Sequence, residues 1–105
     1  MTDQENTTYA ALDSVLHQPI RTRIAAFLSA REEATFSEVK QALKLTDGNL
    51  EAHMKKLTQT AYVDVRKEAN GKRPLTFYRL SKQGKEALSS YVQALTDLLH
   101  IEERS

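Results

Sequence analysis

The most constraining part of this chain is the run from Leu45 to Leu80, where a helical apolar pattern passes directly into a β-favouring one. Taking about 100° per residue for a helix, the inward side of the first segment is centred on Leu50 and Leu57, with Met54 close by and His53 at its border. Gly48, Ala52, Lys55 and Gln59 then point outward, flanked by Asn49, Lys56 and Glu51. Thr46 suits the N-cap, and Asp47 stands near the positive end of the helix dipole. Beyond this helix, Tyr62, Val63 and Val65 begin a strand, and Leu75 to Leu80 alternate well enough to pair with it. Asn70-Gly71 marks the bend, and Pro74, which cannot donate to a ladder, belongs at a strand entrance or on an edge.

Upstream, Tyr9, Leu12, Val15, Leu16 and Ile20 recur at three- and four-residue intervals and predict a first helix that Pro19 ends or redirects. Pro19 suits the first turn of a second helix, striped by Ile24, Phe27 and Leu28. Arg31 to Ala34 reads as a polar loop and Thr35-Phe36 as a very short strand. Ser37 is then expected to start a helix with Val39, Ala42 and Leu43 as its apolar positions, and Leu45 to fill a tight turn before Thr46. Two short helices joined in this way make a helix-turn-helix unit.

Downstream, Ser81 is expected to cap a last helix from about Lys82 to Glu102. Its Leu88, Tyr91, Val92, Leu95, Leu98 and Leu99 form an apolar strip too wide for so small a core, which calls for a partner surface. The 105 residues form one domain, 1-105, with residues 1-8 and the end after His100 expected to fray and 82-102 serving as a C-terminal dimerisation helix.

Charge is unevenly placed. From Gly48 to Arg79 there are seven cations against three acids, while the rest of the chain is net acidic, so the formal +1 of the whole conceals a basic segment. A helix offering amide, ammonium and small side chains fits a DNA major groove, and a cationic hairpin beside it can hold phosphate or the minor groove. The candidate DNA-binding residues are therefore Thr46, Asp47, Gly48, Asn49, Ala52, Lys55, Lys56 and Gln59 on the helix, with Lys72 and Arg73 at the hairpin tip.

The absence of cysteine removes disulfides and thiolate metal sites and fits a cytoplasmic setting. Met1 to Ala10 is polar and acidic, unlike a signal peptide, and no run approaches a membrane span, so no membrane partner is expected. His17 and His100 lack a third ligand, so no metal and no cofactor is expected. No nucleophile elbow, glycine-rich phosphate loop or metal-spaced acid pair points to an enzyme.

The order helix, helix, short strand, helix-turn-helix, hairpin, long helix resembles the winged-helix transcriptional regulators of the MarR and ArsR type. The likeness is carried by Thr46-Asp47-Gly48-Asn49-Leu50 with His53 and Leu57, by Ala61-Tyr62-Val63 entering the wing, and by Pro74, Thr76, Tyr78, Leu80-Ser81 and Gly84 leaving it. It covers about Leu12 to Leu88 and is greatest to small winged-helix DNA-binding domain proteins with two dimer-forming end helices. The resemblance implies an α+β, mainly α fold: a winged helix-turn-helix with a two- to three-stranded wing sheet and terminal dimerisation helices. It also implies a homodimer on double-stranded DNA, one recognition helix per half-site of a pseudo-palindromic operator, in a repressor-like regulator. The dimer interface is expected at Tyr9, Leu12, Leu16, Leu88, Tyr91, Val92, Leu95, Leu98 and Leu99. Two other readings stay open: a winged-helix protein-interaction module meeting an acidic partner, and an effector-responsive repressor with a small molecule between the end helices and the reading unit. The chain departs from cysteine-using ArsR-type metal sensors, and its ends are shorter than those that frame a ligand pocket in MarR-type proteins.

Overall fold

The computed structural model describes residues 12–71 and 73–104. The expectations placed on Tyr9, on residues 1-8 and on Lys72 lie outside the described residues. Within them the order is α1 (Pro19–Ser29), β1 (Ala34–Thr35), α2 (Phe36–Leu43), α3 (Asp47–Gln59), β2 (Val63–Asn70), β3 (Arg73–Leu80) and α4 (Lys82–Arg104). Among the described residues four helices and one antiparallel sheet of order β1-β3-β2 give the mainly helical α+β class that the sequence predicts.

The expected first helix is not seen over its described part, Leu12 to Gln18, which forms turns and bends. Asp13 Oδ1 accepts from the backbone amides of Val15 at 2.8 Å and Leu16 at 3.0 Å, a local bond that competes with helix. Gln18, preceding Pro19, is held extended at φ −150° and ψ 122°, because the proline ring disfavours helical backbone there. Gln18 instead caps α1, its side chain accepting from Arg21 N at 2.9 Å, and Pro19 occupies the first turn as expected. Ile20 belongs to α1. The turn is tied down elsewhere: Tyr62 Oη donates to Asp13 Oδ2 at 2.5 Å, which pushes the Tyr62 phenol up to about 12. The hydroxyl of Thr22 donates to Leu16 O.

α2 starts earlier than its expected cap. Phe36 is helical rather than part of the strand, and Thr35, not Ser37, is the N-cap: Thr35 Oγ1 accepts from Glu38 N at 3.1 Å while Glu38 Oε1 accepts from Thr35 N at 2.8 Å. Thr35 thus satisfies two amides with its neighbour three residues on, whereas Ser37 has no such partner. Val39 is buried and Phe36 and Leu43 pack half-buried on the same stripe, whereas Ala42 falls outside it and is exposed. α2 ends at Lys44 in the left-handed region, φ 56°, and Leu45 N donates to Lys40 O at 3.1 Å. α3 then begins at the expected cap: Thr46 Oγ1 accepts from Asn49 N at 3.1 Å.

β2 and β3 pair along their whole lengths, from Val63 opposite Leu80 to Asn70 opposite Arg73. Gly71 makes the bend at φ 68°. Pro74 sits opposite Ala69, beyond the point where β1 pairs with β3 at Tyr78 and Phe77, so its missing amide falls on an open edge. Ser81 caps α4 as expected, accepting from Gly84 N at 2.9 Å, and its hydroxyl donates back to Ala61 O at 2.6 Å. The core is shared by all these elements: Leu16, Ile24, Leu28, Val39, Leu50, Leu57, Val63, Leu80 and Tyr91 are buried together.

Candidate nucleic-acid interface

The two faces of α3 separate as the helical period requires. Leu50, Met54 and Leu57 are 0%, 2% and 0% exposed, whereas Thr46, Asp47, Gly48, Asn49, Glu51, Ala52, Lys55, Lys56 and Gln59 are all exposed. A Cβ added at Gly48 would meet nothing within 4 Å, so the helix backbone is open there.

One flank of this face and the wing wall the same open groove, of about 1030 Å³. Glu51, Ala52, Lys55 and Thr58 line it from α3, and Val65, Lys67, Pro74, Leu75 and Thr76 from the hairpin. Its floor includes Met54, Phe36 and Tyr78, the two rings lying tilted at 6.4 Å between centroids. The groove thus brings together Ala52 and Lys55 of the expected residues. Thr46, Asp47, Gly48, Asn49, Lys56, Gln59 and Arg73 lie on exposed surface outside its lining.

Lys67 and Thr76, opposite one another in the ladder, were not among the expected contact residues. Strand alternation carries the missing signal: Lys67 lies two residues after Val65 and four after the buried Val63, hence on the strand face turned toward α3.

Charge on this surface is sorted by pairing. Asp47, an acid where an anion would dock, is bridged by Lys40 at 2.8 Å. Arg66 is held by Glu33 at 2.7 Å and Glu68 at 2.5 Å, with its guanidinium 4.2 Å from the Phe77 ring centroid, and these carboxylates raise its pKa further. Arg79 meets Asp64 at 3.6 Å. Among the described residues Lys55, Lys56, Lys67 and Arg73 make no ion pair, so α3, the groove-facing side of β2 and the start of β3 each present positive charge that no carboxylate among the described residues offsets.

His53, at the border of α3, is half-buried, and its Nδ1 stands 3.2 Å from Arg21 Nη1, whose N–H it accepts. It therefore packs against α1 instead of projecting toward the groove.

The apolar strip of α4 is divided. Val92 and Leu99 are 53% and 60% exposed, while Leu12, Leu88, Leu95 and Leu98 are half-buried. Leu16 and Tyr91, expected in an intersubunit seam, are 1% and 5% exposed and belong to the core of the chain itself. Tyr91 packs inward because its hydroxyl meets His17 Nδ1 at 2.9 Å, and Leu16 because the Asp13 turn folds it beneath α1. No helix among the described residues is long and apolar enough to cross a membrane.

A helix-turn-helix whose second helix is exposed along one face, followed by a two-stranded hairpin on the same sheet, defines the winged helix-turn-helix class of DNA-binding proteins. The chain belongs to the winged helix DNA-binding domain family, whose profile matches residues 20–99. It is 32% identical over 84 residues to an uncharacterised protein of Methanocaldococcus jannaschii, covering 80% of this chain and 91% of that one. Among solved structures it is similar to a transcriptional regulator homologue from Pyrococcus horikoshii, with a TM-score of 0.80, 28% identity and coverage of 92% and 95% of the two chains. The fold is also that of PadR from Bacillus subtilis, solved in complex with operator DNA: TM-score 0.64, 19% identity, 71% of this chain and 47% of that one. The family is one of winged-helix DNA-binding domains rather than enzymes, which agrees with the resemblance read from the sequence.

Proposed function

We propose that this protein is a dimeric, sequence-specific transcriptional regulator that lays α3 in the major groove of a half-site and sets its wing on the adjacent backbone or minor groove. The observation that carries the reading is the groove itself: the exposed flank of α3 and the inner face of the wing form its two walls, each with a lysine that makes no ion pair among the described residues, Lys55 and Lys67. Thr46 and the free amides of the α3 N-terminus would fix one phosphate. Gly48, Asn49, Ala52, Lys55, Lys56 and Gln59 would face base edges or phosphates, and Lys72 and Arg73 would track the neighbouring strand. That PadR, of the same fold, is seen on operator DNA supports this placement.

Twofold association would give two such surfaces, and the exposed Val92 and Leu99 on α4 support a seam there, joined by the accessible parts of Leu12, Leu88, Leu95 and Leu98. Burying those apolar groups against a second copy removes the strip from water.

The test is titration of labelled duplexes, selected from a random pool, at several salt concentrations, with the oligomeric state followed by sedimentation. A steep linear fall of log affinity with log salt and a selected two-fold site are expected. Failure to bind any duplex above the affinity for a neutral polymer would remove the reading, and a monomer on DNA would remove its dimeric part.

A further inference from the structure

We infer that Glu51 selects the base pair at one position of each half-site, its carboxylate accepting a hydrogen bond from the N4 amino group of a cytosine. The inference rests on the DNA-binding reading above and names the residue that would give it specificity. Glu51 is exposed on α3 and lines the groove beside Ala52, with Lys55 on the same wall and Lys67 and Thr76 across from it.

Five acids are carried by α2, α3 and the two wing strands, and four of them are already engaged. Glu38 closes the capping box with Thr35, Asp47 meets Lys40, Asp64 meets Arg79 and Glu68 meets Arg66. Glu51 has no ion pair and no side-chain hydrogen bond among the described residues. Its charge still reaches the groove floor: burial first, and the Glu51 carboxylate second, push the Tyr78 phenol above its ordinary pKa.

An ionised carboxylate can only accept, so a phosphate or an acceptor-rich base edge repels it. In the major groove guanine offers N7 and O6 and thymine offers O4, all acceptors. In the duplex the adenine N6 amino group lies between two acceptors, its own N7 and O4 of the paired thymine, whereas the cytosine N4 amino group has an acceptor, O6 of the paired guanine, on one side only. Cytosine is therefore the base on which Glu51 gains a bond while facing the fewest lone pairs. Ala52 adds no bulk to hold the carboxylate away from the edge.

The experiment starts from the site that the wild-type protein selects from random duplexes. Each base pair of a half-site is then replaced in turn, and affinities are measured for wild type, Glu51→Ala and Glu51→Gln. Wild type is expected to lose about tenfold or more when one particular cytosine is replaced. Glu51→Ala should lose that preference alone, and Glu51→Gln should move it toward adenine, which a glutamine can bond at both N6 and N7. Both variants should bind a duplex without the site several-fold more tightly, since a charge repelled by phosphate is gone, and both should unfold at the wild-type denaturant midpoint. Substitution profiles that match the wild type at every position would overturn the inference while leaving the DNA-binding reading intact. A wild-type protein that binds no duplex, or all of them alike, would remove both together.

Discussion

Arg21 on α1 donates a guanidinium N–H to Nδ1 of His53 on α3, at 3.2 Å, and so joins the second helix of the helix-turn-helix to the helix behind it. Burial first, and the charge of Arg21 second, hold the His53 pKa below its ordinary value near 6.5. A proton on Nδ1 would remove the acceptor and set two cations side by side.

The consequence for folding has a definite sign. Because His53 gives up its proton more readily in the folded chain, the unfolded chain binds more protons between the depressed folded pKa and about 6.5, so stability falls as pH drops through that window. The urea midpoint should decline between about pH 7 and about pH 5, and decline less in His53→Gln, which keeps an acceptor but does not titrate. Equal pH slopes in the two proteins would show that His53 is not the group responsible.

Gly84 gives a packing prediction. A Cβ built there would stand 2.1 Å from the carbonyl oxygen of Tyr62 and 2.9 Å from Leu80 Cδ1. The carbonyl cannot retreat cheaply, since it accepts from Ser81 N at 2.9 Å where α4 leaves the sheet. Gly84→Ala should cost about 1–3 kcal/mol despite the better helix propensity of alanine, read as a lower denaturant midpoint with unchanged slope. A stability equal to wild type would mean that α4 is not seated against Tyr62 in this way.

Ala61 predicts the opposite sign. It holds φ 66°, the left-handed region, directly after α3, where Ala61 N donates to Thr58 O at 3.0 Å and Tyr62 N to Leu57 O at 3.0 Å. An L side chain is strained there and glycine is not, so Ala61→Gly should raise stability by up to about 1 kcal/mol, offset in part by the greater freedom of glycine in the unfolded chain. Thermal unfolding at neutral pH measures it, and a lower midpoint would count against the backbone geometry described.

Two wing arginines should separate in salt titrations of DNA binding. Arg73 makes no ion pair among the described residues, whereas Arg66 is neutralised by Glu33 and Glu68. Arg73→Ala is expected to weaken binding to all duplexes similarly and to lower the salt slope by about 1, with Arg66→Met leaving the slope near its wild-type value. The reverse ranking would show that the wing meets DNA through its other face.

Much of this architecture is legible along the chain. The inward set Leu50, Met54 and Leu57, the caps Thr46 and Ser81 and the bend at Asn70-Gly71 depend on residues within one turn or one bend of each other. Where the reading departs from the structure, a competing local bond or a distant partner decides. Asp13 and Pro19 break a helix that periodicity alone continues, and Thr35 outcompetes Ser37 because Glu38 is placed to complete its capping box. The broad strip of α4 gives no sign of which leucines and aromatics turn inward, so Tyr91 and the exposed Leu99 look alike in sequence.

By itself the sequence determined the order of the elements from Pro19 onward, the buried stripe of α3 and the basic character of the segment that follows, because helical and strand periods, capping and charge are properties of near neighbours. Only the tertiary structure decided which charges are spent. Arg66 finds Glu33 across the fold, Asp47 finds Lys40 across the helix-turn-helix, and Lys67 turns toward Lys55 over a shared groove. These relations join residues on separate elements, and such distances follow from packing around a common core, which no local stretch of residues contains.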